Sequence, residues 1–181
     1  YTEPSFFEVF DFTLLKGDVK TALEQPNGII LTEELARKYF GTGDALGRTL
    51  RKDDKDDFTV TGILAPSPGN SHLQFDFLLR WAQAATWERN IKENVWDNFD
   101  FYSYITFDEA KDPELIAGFE KTIQKIYYDH EKELEVRFEL QPLTDIHLHS
   151  RFMADVAGHG NFQYVTVLTI IAVFIILIGC I

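Results

Sequence analysis

The feature that most constrains this chain is an uncharged run at its C-terminus. No Asp, Glu, Lys or Arg occurs from Phe162 to Ile181, and the chain from Val165 onward reads VTVLTIIAVFIILIGCI. A transmembrane helix needs about 20 mostly apolar residues, each contributing a rise of about 1.5 Å. A helix buried in a domain of this size normally keeps one polar face, and this run has none. The run therefore predicts the start of a transmembrane helix over residues 162–181.

Charge separates the rest of the chain from that run. All 17 Lys and Arg, and every acidic residue except Asp155, lie at or before Arg151, so the net charge of −12 belongs to the preceding body. That body is long enough for one full-sized domain or two small ones. Its acidity argues against a nucleic-acid partner, because neutralising phosphates requires a basic face. The single cysteine, Cys180, lies in the apolar run, so we expect no disulfide in the body.

An acidic body that precedes a membrane helix has to be translocated by a segment upstream of it. The chain begins at Tyr1, without an initiator Met or a signal-like stretch. We therefore expect a preceding segment, another transmembrane helix, and an extracytoplasmic position for the body.

Local patterns in the first part of the body predict strands and one capped helix. The apolar run Gly28–Leu31 is typical of a buried strand, and Thr32 before two glutamates is typical of a helix N-cap. The helix predicted after it runs over Glu33–Phe40 and stops at Gly41. The alternation over Phe58–Leu64 predicts a half-buried strand. Together with a strand through Arg48–Leu50, it predicts a hairpin around the charged tip Asp53–Asp57.

The second part of the body predicts a strand–helix–strand unit. Pro66–Ser71 is a linker signal and marks our predicted subdomain boundary. Beyond a short strand over Gln74–Leu79, the segment Phe99–Phe107 is rich in aromatic and β-branched residues, and Leu134–Leu140 alternates apolar with charged residues. Between them Pro113 opens a long helix. The residues predicted to form its buried face are Leu115, Phe119, Ile123 and Ile126.

The motifs of common enzymes do not occur in this sequence. It contains no G-x-x-x-x-G-K-[ST], no G-x-S-x-G and no H-E-x-x-H. The pattern Gly41-x-Gly43-x-x-x-Gly47 follows a helix, whereas a dinucleotide site needs a strand, then a loop, then a helix. Aromatic residues could line a ligand groove or fill two small cores, and a core is the commoner use. The tryptophans among them are Trp81, Trp87 and Trp96.

One group of residues has the spacing of metal ligands. On a strand, Asp145, His147 and His149 would share one face and could converge on a metal, with His159 ten residues further on. Zinc needs further ligands that the sequence does not supply at a telling spacing, and a polar edge near the membrane is the simpler interpretation. We therefore predict that the chain is not an enzyme and has no catalytic, cofactor-binding or metal-binding residues.

Several motifs keep a fixed order along the chain. In the first part they are Phe6-Phe7-x-Val9-Phe10-x-Phe12, Leu15-x-Gly17-Asp18, Ile29-Ile30-Leu31-Thr32-x-x-Leu35-Ala36-x-x-Tyr39-Phe40-Gly41, Asp44-Ala45-Leu46-Gly47 and Phe58-x-Val60-x-Gly62-Ile63. In this order they resemble the MacB-like periplasmic core domain of FtsX/MacB-type ABC transporter permeases. Further motifs are similar to the form of this domain in FtsX-like permeases of Bacteroidetes-type bacteria: Asn70-Ser71-His72, Phe75-Asp76-Phe77 and Leu143-x-Asp145-Ile146-His147-Leu148-x-Ser150.

The resemblance implies an α+β fold in four parts. Residues 1–66 would form a β-rich Sabre-like subdomain, and residues 67–150 the second half of a β-α-β Porter-like subdomain. Residues 151–161 would be a juxtamembrane connection, and residues 162–181 the start of the transmembrane helix. The first Porter half and the first membrane helix would precede Tyr1.

The resemblance also implies a function in coupling. The chain would be the extracytoplasmic domain of an ABC transporter permease in the bacterial inner membrane, and would couple cytoplasmic ATP hydrolysis to periplasmic events by mechanotransmission and protein contacts. Its partners would be a cytoplasmic ABC ATPase subunit or domain, a periplasmic adaptor or lipoprotein, and a second permease in a homo- or heterodimer. The alternative is the extracytoplasmic ligand-binding sensor domain of a membrane receptor kinase, which is also an acidic α+β body.

Overall fold

A computed structural model describes residues 1–107, 112–146 and 162–179 of the chain. The chain divides into two compact units. The first, to which the name body is restricted below, comprises Tyr1–Gly69 and Gln74–Phe138, and the second comprises Asn70–Leu73 and Glu139–Ile181.

The described residues contain five strands, six α-helices and one short 3₁₀ helix. In chain order they are α1 (Phe6–Val9), β1 (Leu14–Gly17), β2 (Gly28–Thr32), α2 (Glu33–Phe40), β3 (Thr49–Lys52), β4 (Asp56–Leu64), β5 (Phe77–Leu79), α3 (Trp81–Trp87), α4 (Arg89–Lys92), α5 (Pro113–His130), the 3₁₀ helix (Leu143–Asp145) and α6 (Phe162–Gly179). The predicted α+β class is confirmed, whereas the division into Sabre-like and Porter-like subdomains stays a prediction.

The central strand of the sheet is β4. It pairs antiparallel with β1 and β3 along one edge and parallel with β2 along the other, and β2 then pairs antiparallel with β5. The parallel pair is joined through α2, as parallel strands need a long crossover connection. Every residue of β2 is buried, which explains its continuous apolar run.

A β-bulge in β4 decides which of its side chains face the core. The consecutive residues Ile29–Ile30 of β2 pair with Val60 and Gly62, so Thr61 is an extra residue in the ladder. The bulge brings Ile63 into the same core cluster as Val60. The strict alternation that the sequence predicts for this strand is therefore wrong beyond Val60.

One hydrophobic cluster joins the sheet to the helices of the body. Leu79 of β5 and the half-buried Trp87 of α3 contribute to it, so elements on both sides of the predicted linker pack together. The buried members of this cluster are Ile29, Leu31, Ala36, Ala45, Phe58, Val60, Ile63 and Leu79.

The N-cap and the C-terminal end predicted for α2 are confirmed. The hydroxyl of Thr32 accepts a hydrogen bond from the backbone N–H of Leu35 at 3.3 Å, and the helix starts at Glu33. It ends before Gly41, whose φ of +67° is one that favours glycine. The predicted hairpin is also confirmed, because β3 and β4 pair antiparallel around the charged tip.

Only the helix of the predicted strand–helix–strand unit forms as expected. Helix α5 begins at Pro113, and the carboxylate of Asp112 caps it by accepting from the N–H of Glu114 at 2.9 Å. Within the described residues, the segments Phe99–Phe107 and Leu134–Leu140 contain no strand, and the strand predicted for Gln74–Leu79 is shortened to β5. A strand requires a neighbouring backbone, and the polar groups of Val136 are instead bound by side chains of α5.

The apolar face predicted for α5 is partly wrong. Tyr127, which the prediction left out, is its buried residue, while Phe119 packs edge-on against Phe107 with ring centroids 5.5 Å apart. Leu115 and Ile126 are 44% and 48% exposed. The buried stripe is therefore rotated away from these two residues.

The C-terminal run forms helix α6 over Phe162–Gly179, which confirms that it is helical. Among the parts of the chain that the structure describes, no helix has both the length and the apolar character needed to cross a membrane.

Candidate functional site

The glycine loop after α2 is held against the sheet by its own backbone. The N–H of Gly47 donates to the carbonyl oxygen of Val60 at 2.8 Å. The N–H of Val60 donates in turn to the carbonyl oxygen of Arg48 at 2.9 Å. The N–H of Leu46 donates to the carboxylate of Asp44 at 3.2 Å. These N–H groups bond within the loop and to the sheet, which supports a structural role for the glycine loop and not a phosphate-binding one.

Two exposed ion pairs tie this part of the body together. The ammonium nitrogen of Lys16 in β1 lies 3.1 Å from a carboxylate oxygen of Asp44. The hydrogen bond from Lys16 and then the one from the Leu46 N–H lower the pKa of the Asp44 carboxyl. Arg51 donates two hydrogen bonds to Asp57, its cross-strand partner, at 2.6 and 2.9 Å. These bonds lower the pKa of the Asp57 carboxyl. Both pairs are exposed, so water and salt weaken them.

The metal hypothesis concerns residues that lie mostly outside the described part of the chain. Asp145 ends a 3₁₀ helix, and Ile146 after it has helical backbone angles, so the strand expected there does not begin at Asp145. His147, His149 and His159 are not among the described residues. Within the described ranges, no group of three or more His, Cys, Asp and Glu side chains could hold a metal ion.

The three tryptophans occupy different contacts in the body. Trp87 packs on Phe58, with ring centroids 5.7 Å apart, and Trp81 packs edge-on against Phe101 at 5.1 Å. Trp96 stacks on the imidazole of His130 at the end of α5, at 4.1 Å and an interplanar angle of 11°. Each makes a ring contact of the kind that fills a core or joins two segments.

Tyr127 is the centre of an aromatic group at the C-terminal end of α5. Its ring lies within 6.3 Å of four others, and burial raises the pKa of its hydroxyl, with Glu131 as the next cause. The four rings belong to Trp96, Phe99, Tyr128 and Phe138. This group fixes α5 against the segments on either side of it in the sequence.

Two polar side chains of α5 bind the segment that follows it. The Tyr128 hydroxyl accepts from the N–H of Val136 and donates to its carbonyl oxygen, both at 3.1 Å. The amide of Gln124 donates to the same carbonyl, and its oxygen accepts from the N–H of Phe138 at 3.1 Å. Sequence reasoning missed both residues, and the available signal was weak: two polar residues four positions apart, beside the apolar stripe.

Large apolar side chains are exposed on α5 and in the sequence segments on either side of it. Leu115 and Ile126 are eleven residues apart, which is close to three helical turns, so they lie on the same face. A soluble protein rarely leaves a large apolar patch uncovered unless another molecule binds it. We call this set the α5 region: Phe99, Phe101, Tyr102, Ile105, Leu115, Ile126 and Leu134, each at least 39% exposed.

The family model for the MacB-like periplasmic core domain matches residues 1–126 of this sequence. The chain belongs to this family. The match covers the whole sheet and most of α5. The family is defined by a periplasmic domain and is not a known class of enzymes, and no curated protein matches the chain.

Two solved structures are similar to this MacB-like domain. One is a domain of a provisionally named permease protein from Porphyromonas gingivalis, with 28% identity and a TM-score of 0.53 over 77% of this chain and 65% of that one. The other is the periplasmic region of MacB from Actinobacillus actinomycetemcomitans, with 12% identity and a TM-score of 0.46 over 69% of this chain and 54% of that one. The present chain thus spans less than two thirds of either structure.

Proposed function

We propose that this chain is the extracytoplasmic domain of an ABC transporter permease in the bacterial inner membrane. In this role it couples ATP hydrolysis by a cytoplasmic ATPase subunit or domain to events in the periplasm, by mechanotransmission and protein contacts. The observation that carries the proposal is the family match over residues 1–126, and the Porphyromonas domain supports it.

The proposal assigns no chemistry to the domain itself. The sequence lacks a phosphate-binding loop, and the glycine loop uses its backbone donors within the body. We therefore expect the purified domain to hydrolyse no ATP. Hydrolysis that persists through repeated purification and is abolished by a substitution in this chain would contradict the proposal.

The proposal also puts the C-terminal run in contact with lipid. Residues 162–181 carry no charge, and the large apolar side chains described on α6 are 47–73% exposed. Protease added to spheroplasts should cleave the body from outside, whereas the apolar run should stay with the membrane after alkaline extraction. Cleavage of the body only in opened cells would place it on the wrong side.

The α5 region is the surface that we assign to protein contacts, either with a periplasmic adaptor or lipoprotein or with a second permease. A substitution of Leu115 or Ile126 by Glu would place a charge on this exposed face without disturbing the buried Tyr127. We expect each variant to fold normally and to lose co-purifying partner protein. Ala117→Glu, which adds the same single charge at an exposed position on the other side of α5, is the matched control.

The coupling itself is tested in the complete permease. The permease is purified with its ATPase in lipid nanodiscs, and hydrogen exchange in residues 1–146 is compared in the presence of ADP and of ADP with vanadate. Mechanotransmission predicts a nucleotide-dependent change in the exchange of these residues, although the nucleotide binds on the other side of the membrane. Failure to isolate any ATPase with the permease, or identical exchange in both states, would refute the proposal.

A further inference from the structure

The hydrogen bonds between α5 and the segment 134–138 resemble one edge of a β-ladder built from side chains. Gln124 and Tyr128 are one helical turn apart and bind three backbone groups, the N–H and C=O of Val136 and the N–H of Phe138. In an antiparallel ladder, alternate residues of a strand bond to the same neighbour through their backbone N–H and C=O groups. The two side chains therefore take the place of a neighbouring strand.

An apolar contact lies beside these polar ones. The ring of Phe138 packs against buried Tyr127 with centroids 5.2 Å apart. The segment is thus held to α5 by a ring contact and by four hydrogen bonds, two of which involve the partly buried Gln124.

This attachment lies at the C-terminal end of the body, just before the chain continues toward α6. Phe138 is the last residue of the body, and the next residue, Glu139, begins the stretch of the second unit that contains α6. We propose that Gln124 and Tyr128 form a clamp that fastens the body to the chain leading to α6, so that a pull along that chain enters α5 through these bonds. The inference deepens the coupling function proposed above, and its biological meaning rests on that function.

The clamp has a residue-specific signature in amide hydrogen exchange. In the full chain in detergent micelles, Tyr128→Phe should speed exchange at the Val136 amide roughly tenfold and leave the Phe138 amide unchanged. Gln124→Met should speed exchange at the Phe138 amide by a similar factor, and Lys125→Met is the control on the same helix. If neither amide is protected in the unmodified chain, or if the variants do not change it, the clamp does not exist.

The mechanical role of the clamp is measured by pulling on single molecules held at the two ends of the chain. The double variant Gln124→Met/Tyr128→Phe should lower the force at which residues 134–138 leave α5, without changing the force that opens the sheet. An unchanged detachment force in a variant whose amides have lost protection would show that the clamp does not carry force. No transporter partner is involved, so this result is independent of whether the permease proposal holds.

Discussion

At the residue scale, Gly17 shows how closely the chain approaches itself beside the bulge in β4. Its φ is +99°, and a Cβ at this position would lie 2.5 Å from the carbonyl oxygen of Thr61. We expect Gly17→Ala to lower the free energy of unfolding by at least about 2 kcal/mol, because both the backbone angle and the space exclude a side chain. Urea unfolding followed by circular dichroism measures the change.

Gly69→Ala provides the matched control for that variant. A Cβ at Gly69 would meet nothing within 4 Å, and its φ lies outside the left-handed range. The control should therefore change stability little. Equal losses in the two variants would mean that the close approach at Gly17 is not the cause.

Thr32 supports a second prediction at this scale. Its hydroxyl caps α2, and the residue is buried, so water cannot replace the lost acceptor easily. Thr32→Ala should destabilise the body by about 1 kcal/mol in urea unfolding. Thr42→Ala, in the exposed loop after the same helix, should leave the unfolding midpoint unchanged.

These residues also mark what the sequence can predict at this scale. The cap at Thr32 and the helix end at Gly41 depend on neighbours within four residues, so local chemistry was sufficient to find them. Thr61 is different: its hydroxyl donates to the carbonyl oxygen of Ala22 at 2.7 Å, 39 positions away. The bulge at this residue depends on long-range pairing, so alternation along β4 alone could not predict it.

At the scale of elements, the hairpin of β3 and β4 has a predictable response to acid. Arg51 lowers the pKa of Asp57 in the folded state, so the pair contributes stability above the ordinary carboxyl pKa of about 4 and loses it as the pH falls through the lowered value. Asp57→Asn should be slightly less stable than the unmodified protein at pH 7. Toward pH 2 the two should become equally stable.

The measurement is the urea midpoint at several pH values. The same series at high salt should show a smaller difference, because the pair is exposed and ions screen it. Asp56→Asn, which changes the same net charge in the neighbouring residue, is the control. A difference that persists unchanged at pH 2 would show that the Asp57 side chain acts through packing and not through its charge.

The two strands predicted around α5 failed for a physical reason at this same scale. Alternation and β-branched residues indicate that a segment suits an extended chain, but a strand also needs a backbone partner. In the segment after α5, side chains of Gln124 and Tyr128 occupy that place. The alternating pattern over residues 134–140 therefore predicted a strand, and for that reason the contacts that Gln124 and Tyr128 make with this segment were not predicted from the sequence.

At the scale of the whole molecule, the contacts predict that both parts of the body unfold together. Strand β5 lies beyond the predicted linker, yet Leu79 pairs with Ile29 of β2 and belongs to the main core cluster. Trp87 packs on Phe58 and belongs to the rim of the same cluster. Separating residues 1–66 from the rest would expose this shared core to water.

Two probes can follow the two parts separately in one urea titration. All three tryptophans lie between residues 81 and 96, so their fluorescence reports on the second part, whereas far-ultraviolet circular dichroism is dominated by the sheet and the helices of the whole body. We expect the two transitions to coincide, as they do for a single cooperative domain. Leu79→Ala should move both midpoints to lower urea together, because it removes about 2–5 kcal/mol of shared core packing. If fluorescence instead changes at a distinct midpoint, and Leu79→Ala moves only one of the two, residues 1–66 and 67–138 unfold independently and the subdomain boundary in the linker is real.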